Sequence, residues 1–436
     1  MLCVNSVSSF STLIRVAICC ALLLAHGPIC AADGECRYVG EYPTATSKKG
    51  LQVEDTADAL ALGIKHAAIN VNLSRLIDVN ERENCEASWK FDGRQYCFNA
   101  AYLAELDSSI ETLSSHGVIV NLILLAYATD DQRTNKIMLH PRYDQSAPNR
   151  LGMFNTATPD GRATLAAIME FVAERWSRPD KKFGRVAGYI VGNEVNSHWW
   201  WCNMGRVSME EFADAYLDAV RLIHSSVRKQ ASWARVYVSL DHHWGISYAA
   251  GDEQQAFPGR DFVDYFARQA RENGDFDWNI AYHPYPENLF EPRFWNDTTA
   301  LPKEDTSRIT FKNLEVLVEY LKRPELLFVG LPRRIILSEQ GFHTPAGPDG
   351  ETLQAAAYCA AYKRVENLEG VDAFILHRHI DNLHEGGLML GLRGVAPCGG
   401  EPRRKKRIYG CFRAADTPEW ESAFKFALPI IGKQSW

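Results

Sequence analysis

Polar residues of this chain recur directly after apolar runs. Asn70 and Asn72 close "HAAINVNL", Tyr127 closes "GVIVNLILLAYA", Asn193 and Glu194 close "VAGYIVGN", and Asp241 to Trp244 end "RVYVSLD" and its continuation. His283 and Tyr285 end "FDWNIAYHPY", Glu339 ends "RRIILSEQGF", and His377 to His379 end "VDAFILHRHI". One carboxylate at the end of a buried strand can be a structural ion satisfied by its neighbours. Two glutamates at equivalent positions of separate runs, Glu194 and Glu339, set a narrower condition. If the runs face each other, both carboxyl groups aim into one space. One can then protonate a leaving oxygen while the other attacks carbon or activates water, which is what cleavage of a glycosidic bond requires.

The elements that must position these residues follow from periodicity. Most of the runs are continuously apolar, as in strands buried on both faces. With "GLQVE" as the first, there are eight, and amphipathic helical stretches separate them: Ala101 to His116, Ala163 to Trp176, Ser208 to Arg228, Phe311 to Leu321 and Thr352 to Asn367. Ser208 with Glu211 forms a capping box at the start of one. Eight strands with intervening helices predict a (β/α)8 TIM barrel rather than an open doubly wound sheet. No G-x-G-x-x-G and no P-loop supports a nucleotide site. The stretches 76–99, 129–160, 284–309 and 380–414 are long loops after strands, where such a barrel builds its active face.

The chain has 436 residues and a net charge of -7, with no electrostatic footprint for nucleic acid. Arg15, the apolar run Val16 to Ala25 and the small residues Cys30-Ala31-Ala32 read as a secretory signal peptide over 1–32. A single catalytic domain over 33–436 is then expected, secreted or periplasmic, with no membrane association in the mature form. Export permits disulfides. Of eleven cysteines, seven follow the signal, and Cys85–Cys97 and Cys398–Cys411 are the expected pairs, with Cys359 a buried thiol. The basic run Arg403 to Arg407 reads as a solvated loop or as a contact for an acidic substrate.

Asn193-Glu194 closing the fourth strand, with Glu339 in "ILSEQGF" closing the seventh, resembles the clan A glycoside hydrolases over roughly residues 47 to 430. More narrowly, "SKKGL", "GNEVN", "AYHPYP" and "HEGGLMLGL" resemble a family of secreted bacterial glycosidase-like barrels long without a known function. The resemblance implies a retaining hydrolase acting on a polysaccharide or oligosaccharide, without cofactor or metal. Glu194 would be the acid/base and Glu339 the nucleophile. Asn193 would bind the hydroxyl beside the anomeric carbon, and His283 or Tyr285 would orient the nucleophile. Many clan A members carry tryptophan at the end of strand eight, where this chain has His377-Arg378-His379.

Sugar rings present apolar C–H faces that pack on aromatic rings. Among the tryptophans after strands, Trp199 and Trp244 are the expected sugar contacts, with Asn72, Tyr127, His377 and Arg378 as further substrate-binding residues. Two other readings compete. His242, His243, His283, His377, His379 and Asp381 could make a metal-dependent barrel hydrolase, although Asn70 and Asn72 stand where such barrels carry early histidines. A catalytically inactive carbohydrate-binding barrel is the second. A serine nucleophile lacks its G-x-S-x-G elbow.

Overall fold

The computed structural model describes residues 36–80, 85–395 and 404–436, so the expected signal segment, Cys398 and Arg403 lie outside it. Eight parallel strands form the central sheet: β1 (Lys49–Gln52), β2 (His66–Asn72), β3 (Ile119–Tyr127), β4 (Val186–Val191), β5 (Arg235–Asp241), β6 (Trp278–His283), β7 (Ile335–Leu337) and β8 (Val371–Leu376). Each pairs with the next, and β8 returns to β1 through Lys49–Phe374, Gly50–Ile375 and Leu51–Leu376, closing the barrel. All eight runs read from the sequence are strands of this (β/α)8 barrel.

Helices α1 (Thr56–Ala61), α2 (Ala100–Ser115), α3 (Pro159–Arg175), α4 (Met209–Gln230), α5 (Gly259–Glu272), α6 (Glu315–Tyr320), α7 (Gly350–Glu366) and α8 (Arg407–Ala414) follow the strands in turn. The Ser208–Glu211 capping box is present at the start of α4. Between strands and helices, a continuous apolar layer includes Phe212, Tyr216, Phe262, Phe266 and Trp278, all fully buried.

A second, smaller apolar cluster fills the barrel interior: Ala68, Ile123, Ile190, Tyr237, Ala281, Ile336, Ala373 and Ile375 from β2 to β8, among others. Side chains two apart on a strand share a face. The next inward position is therefore Asn70 on β2, Ser239 on β5, His283 on β6, Ser338 after β7 and His377 after β8. Gln52 stands likewise two residues beyond Gly50 on β1. The strands thus place a polar layer directly above the apolar one, at their C-terminal ends.

The long loop after β2 carries structure of its own. Residues 77–78, 87–91 and 94–98 form a three-stranded antiparallel sheet. Asp92 and Gly93 both have positive φ at its tight turn (46° and 75°), the requirement of a type I′ hairpin that Asp-Gly meets. The Asp-Gly of "WKFDGRQY" is the local signal for this hairpin within the stretch 76–99 expected to be loop. The expected Cys85–Cys97 disulfide is present, with Cα atoms 5.8 Å apart. The second expected pair is corrected: Cys411 is a buried free thiol on α8, hydrogen-bonded to Cys359 on α7. Helix packing, which sequence spacing does not report, selects that neighbour.

Candidate active site

Glu194 leaves the end of β4 in a left-handed conformation, φ 39° and ψ 53°, one that L-residues rarely adopt. Its backbone N–H donates to Ser239 Oγ at 3.0 Å. The turn is fastened from below by Asp241, whose carboxylate accepts from Asn196 Nδ2 (2.7 Å), Ser197 Oγ and the backbone N–H of His243 (2.8 Å). Asn196 Oδ1 in return accepts from the Asp241 N–H at 3.0 Å. A backbone held this tightly against β5 keeps the strained residue in place.

Glu339 follows β7 on the other side of the barrel. Its Oε1 accepts from the Tyr285 hydroxyl at 3.2 Å, and its Oε2 from Gln52 Nε2 at 3.1 Å. Behind it, Gly341 passes so close to the His377 carbonyl that a Cβ would lie 2.1 Å from that oxygen, so only glycine fits there. His283 stands between the two glutamates: Nδ1 is 2.9 Å from Glu194 Oε1 and Nε2 is 3.0 Å from Ser338 Oγ. One oxygen of each carboxyl group and a ring nitrogen of His283 all lie within 4.8 Å of one another.

The two carboxyl groups sit in opposed environments. Burial pushes Glu194 up, and the negative charges of Asp241 and Glu339 add to that, outweighing the His283 contact. Burial alone would lower His283, yet the hydrogen bond to Glu194 and the nearby Glu339 charge raise it. With both partners raised, the Glu194–His283 pair retains a proton to higher pH than either group would alone. Burial would also raise Glu339, but the charges of His377 and His283 and the Gln52 and Tyr285 donors outweigh it and hold Glu339 low. The geometry can therefore offer a proton and an anion to the same reacting bond.

Other residues named from sequence fall differently. Tyr127 is half-buried over the interior cluster, and the Glu339 charge helps burial raise its hydroxyl. Asn193 is half-buried in the bend before Glu194. Of His283 and Tyr285, either of which could orient Glu339, Tyr285 donates to its carboxylate, while His283 hydrogen-bonds Glu194. Asn72 caps the short helix 73–76, its Oδ1 accepting from the Arg75 N–H at 3.1 Å. The Trp244 expectation is corrected: its ring is fully buried against Tyr320, and Nε1 donates to the Glu304 carbonyl at 3.1 Å. Trp199 is buried too, at 8% exposure. Of the three consecutive tryptophans, Trp201 is the one packed on the barrel's interior cluster beside Tyr127. Helical spacing within His198–Trp201 turns successive rings about 100° apart, so the three cannot share one environment.

His377 and Arg378, joined by a cis peptide, meet side chains of the protein itself. His377 Nδ1 is 2.7 Å from Gln52 Oε1 and Nε2 is 3.1 Å from Glu385 Oε1. Arg378 pairs with Glu385 and with Glu54, the latter at 3.2 Å. The histidines after strands five and eight are dispersed among separate partners. His242 faces the Tyr285 carbonyl, His243 faces Asp241, His379 faces Asp58, and Asp381 pairs with Lys406. Among the described residues, the three that do bring possible ligand atoms together are His283, Glu194 and Glu339. Gln52, Asn196, Ser239, Ser338 and Glu385 were missed. Only the period-two pattern on β1, β5 and β7 and the Asn of "GNEVN" pointed to any of them.

Several solved structures share this architecture. A family 39 glycoside hydrolase from the gut symbiont Bacteroides cellulosilyticus WH2 superposes with a TM-score of 0.53 at 12% identity, over 84% of this chain and 62% of its own. This chain thus spans less than two thirds of that enzyme. The hyperthermophilic beta-glucosidase of Pyrococcus furiosus gives 0.52 at 16% identity over 86% of each chain. Beta-glycosidase BGL167 gives 0.50 at 16% identity, over 83% of this chain and 86% of its own. At such identities the likeness is one of fold, a (β/α)8 barrel. No curated protein matches the chain in sequence. Residues 41–436 match DUF5722, a family of unknown function, and the chain belongs to that family.

Proposed function

We propose that this protein is a retaining glycoside hydrolase, with Glu194 as acid/base and Glu339 as nucleophile. The observation that carries the reading is the carboxyl pair, with donor oxygens within 4.8 Å and opposite protonation preferences. Retaining enzymes place their carboxyl groups roughly 5–5.5 Å apart, and inverting ones leave about 6.5–9.5 Å for a water. Glu339 attacks the anomeric carbon while Glu194, supplied by the proton it shares with His283, protonates the leaving oxygen. Water then enters on the same face, with Glu194 now taking its proton. Asn193, beside Glu194, binds the neighbouring sugar hydroxyl, and Trp201 with Tyr127 floors the subsite.

The substrate is a neutral glycan. Arg378 is held between two carboxylates, Arg404 pairs with Glu351, and Lys406 is buried against Asp381. These three cations are committed to internal partners, which weakens the case for an acidic substrate. The Cys85–Cys97 bridge suits an exported protein.

The test is a panel of aryl glycosides and neutral polysaccharides with the wild type, Glu194→Ala and Glu339→Ala. Glu339→Ala should lose turnover on every substrate. Glu194→Ala should fail on natural glycans, yet still release activated phenols, and added azide should yield a glycosyl azide of the substrate's own anomeric configuration. An azide of inverted configuration, or full activity in Glu339→Ala, would sink the mechanism. Binding without any product release would leave a carbohydrate-binding barrel.

A further inference from the structure

Gln52 touches the Glu339 carboxylate, and its own contacts lead away from it in a line. Its amide orientation follows from chemistry: the end toward Glu339 Oε2 (3.1 Å) and the Ser338 carbonyl (3.2 Å) faces two acceptors, so it must be the NH2. The other end is then the carbonyl Oε1, and His377 Nδ1, 2.7 Å away, donates to it. On the far side of the ring, Nε2 lies 3.1 Å from Glu385 Oε1. Arg378 pairs with that same carboxylate, which keeps it charged and able only to accept. His377 therefore meets an acceptor oxygen at each of its two ring nitrogens.

We infer that Gln52, His377 and Glu385 form a relay of positioning residues that aims and charges Glu339 from the loop after β8. The inference deepens the glycosidase reading, since it takes Glu339 as the nucleophile. Glu385 fixes His377, His377 fixes the Gln52 carbonyl, and Gln52 so fixed presents its N–H to Glu339 Oε2. None of the three needs to touch the reacting bond. The relay links a surface loop, with Leu383 62% exposed two residues before Glu385, to the centre of the barrel through three hydrogen bonds. It also gives a reason for the departure at the end of strand eight: the residue there is histidine because the position serves the nucleophile and not a sugar ring.

The titration of Glu339 reads this directly, without any turnover. Facing that carboxyl are Glu194 after β4, His283 and Tyr285 from β6, Tyr127 at the end of β3 and His377 after β8. In protein labelled with 13C at glutamate carboxyls, with the signal assigned by its loss in Glu339→Gln, the midpoint is followed in Gln52→Leu, His377→Leu, His377→Gln and Glu385→Gln. Gln52→Leu removes a donor to the anion and should raise the midpoint by about one pH unit or more. His377→Leu should raise it as well, and His377→Gln, whose amide can still donate to Gln52, should recover part of that rise.

Glu385→Gln decides between relay and simple charge. Removing an anion acts through space to lower the Glu339 midpoint, whereas removing the anchor of His377 acts through the relay to raise it. A rise supports the relay; a fall or no change overturns it, as does an unmoved midpoint in Gln52→Leu. In the activity arm, the acidic limb of kcat/KM should move upward in the same variants with KM little altered. Absence of any glycosidase activity, with the carboxyl shifts as expected, would reject the proposed function and leave the relay standing. Activity on glycans with unmoved carboxyl titrations would do the reverse.

Discussion

A single indole can serve the mouth of a barrel or its packing, and Trp201 and Trp244 divide along that line. Trp244 has no exposed surface and a satisfied Nε1, so Trp244→Ala should cost about 3–5 kcal/mol in a denaturant titration. Trp201 lies half-buried over the interior cluster beside Tyr127. Trp201→Ala should move the denaturation midpoint far less and instead raise KM for glycosides about tenfold, the cost of one aromatic contact of roughly 1.4 kcal/mol. Equal losses of stability in both variants would contradict the assignment. The carboxyl environments make a second prediction at this scale. Activity should rise as Glu339 ionises, with a limb below the ordinary carboxylate range, and fall when the raised Glu194–His283 pair loses its proton. The alkaline limb should vanish in Glu194→Gln assayed with activated aryl glycosides; its persistence would place the acid elsewhere.

At the scale of elements, the three-stranded sheet 77–98 is held to the barrel by Phe98, stacked on Phe171 of α3 at 4.0 Å, and is cross-linked within itself by Cys85–Cys97. A disulfide closing a loop this short restricts the unfolded segment by about 3 kcal/mol. In Cys85→Ser or Cys97→Ser, amide hydrogens of 87–98 should exchange about a hundredfold faster, while those of β3 and β4 keep their protection. Hydrogen exchange with fragment resolution separates that local loss from a global one. If the whole barrel loosened together, the hairpin would be part of the cooperative core and not an appendage to it.

Over the whole molecule, buried histidines tie stability to pH. His66 and His198 are pushed down to about 4, and His224 and His242 to about 3, burial being the largest cause for each. Their folded values lie below the unfolded value near 6.5, so between about pH 6.5 and 4 the unfolded chain binds protons that the folded one refuses. Stability is then fully present above about pH 6.5 and declines as pH falls through that window, with raised His283 acting in the opposite sense. Melting temperature should drop by roughly 5–10 °C from pH 7.5 to pH 5. A constant melting temperature across that range would mean that these rings enter the fold charged.

The sequence alone was enough to determine the barrel, because eight strands buried on both faces need continuous apolar runs and each run ends where the polar layer begins. It also picked out Glu194 and Glu339, since two carboxylates ending separate strands of one barrel aim into a common space, and their carboxyl groups do meet there. The Cys85–Cys97 bridge was legible because its partners, 12 residues apart, close one short local loop. What the tertiary structure decided is every relation that closes across the barrel. Gln52 meets Glu339 and His377 only because β8 returns to pair with β1, more than 300 residues along the chain. Likewise, Cys411 meets Cys359 only through helix packing, and Trp201 rather than Trp199 packs on the interior cluster because a single helical turn rotates the two rings apart. Periodicity reports which face of an element a residue occupies; the partner on that face is set by how the elements close around one another.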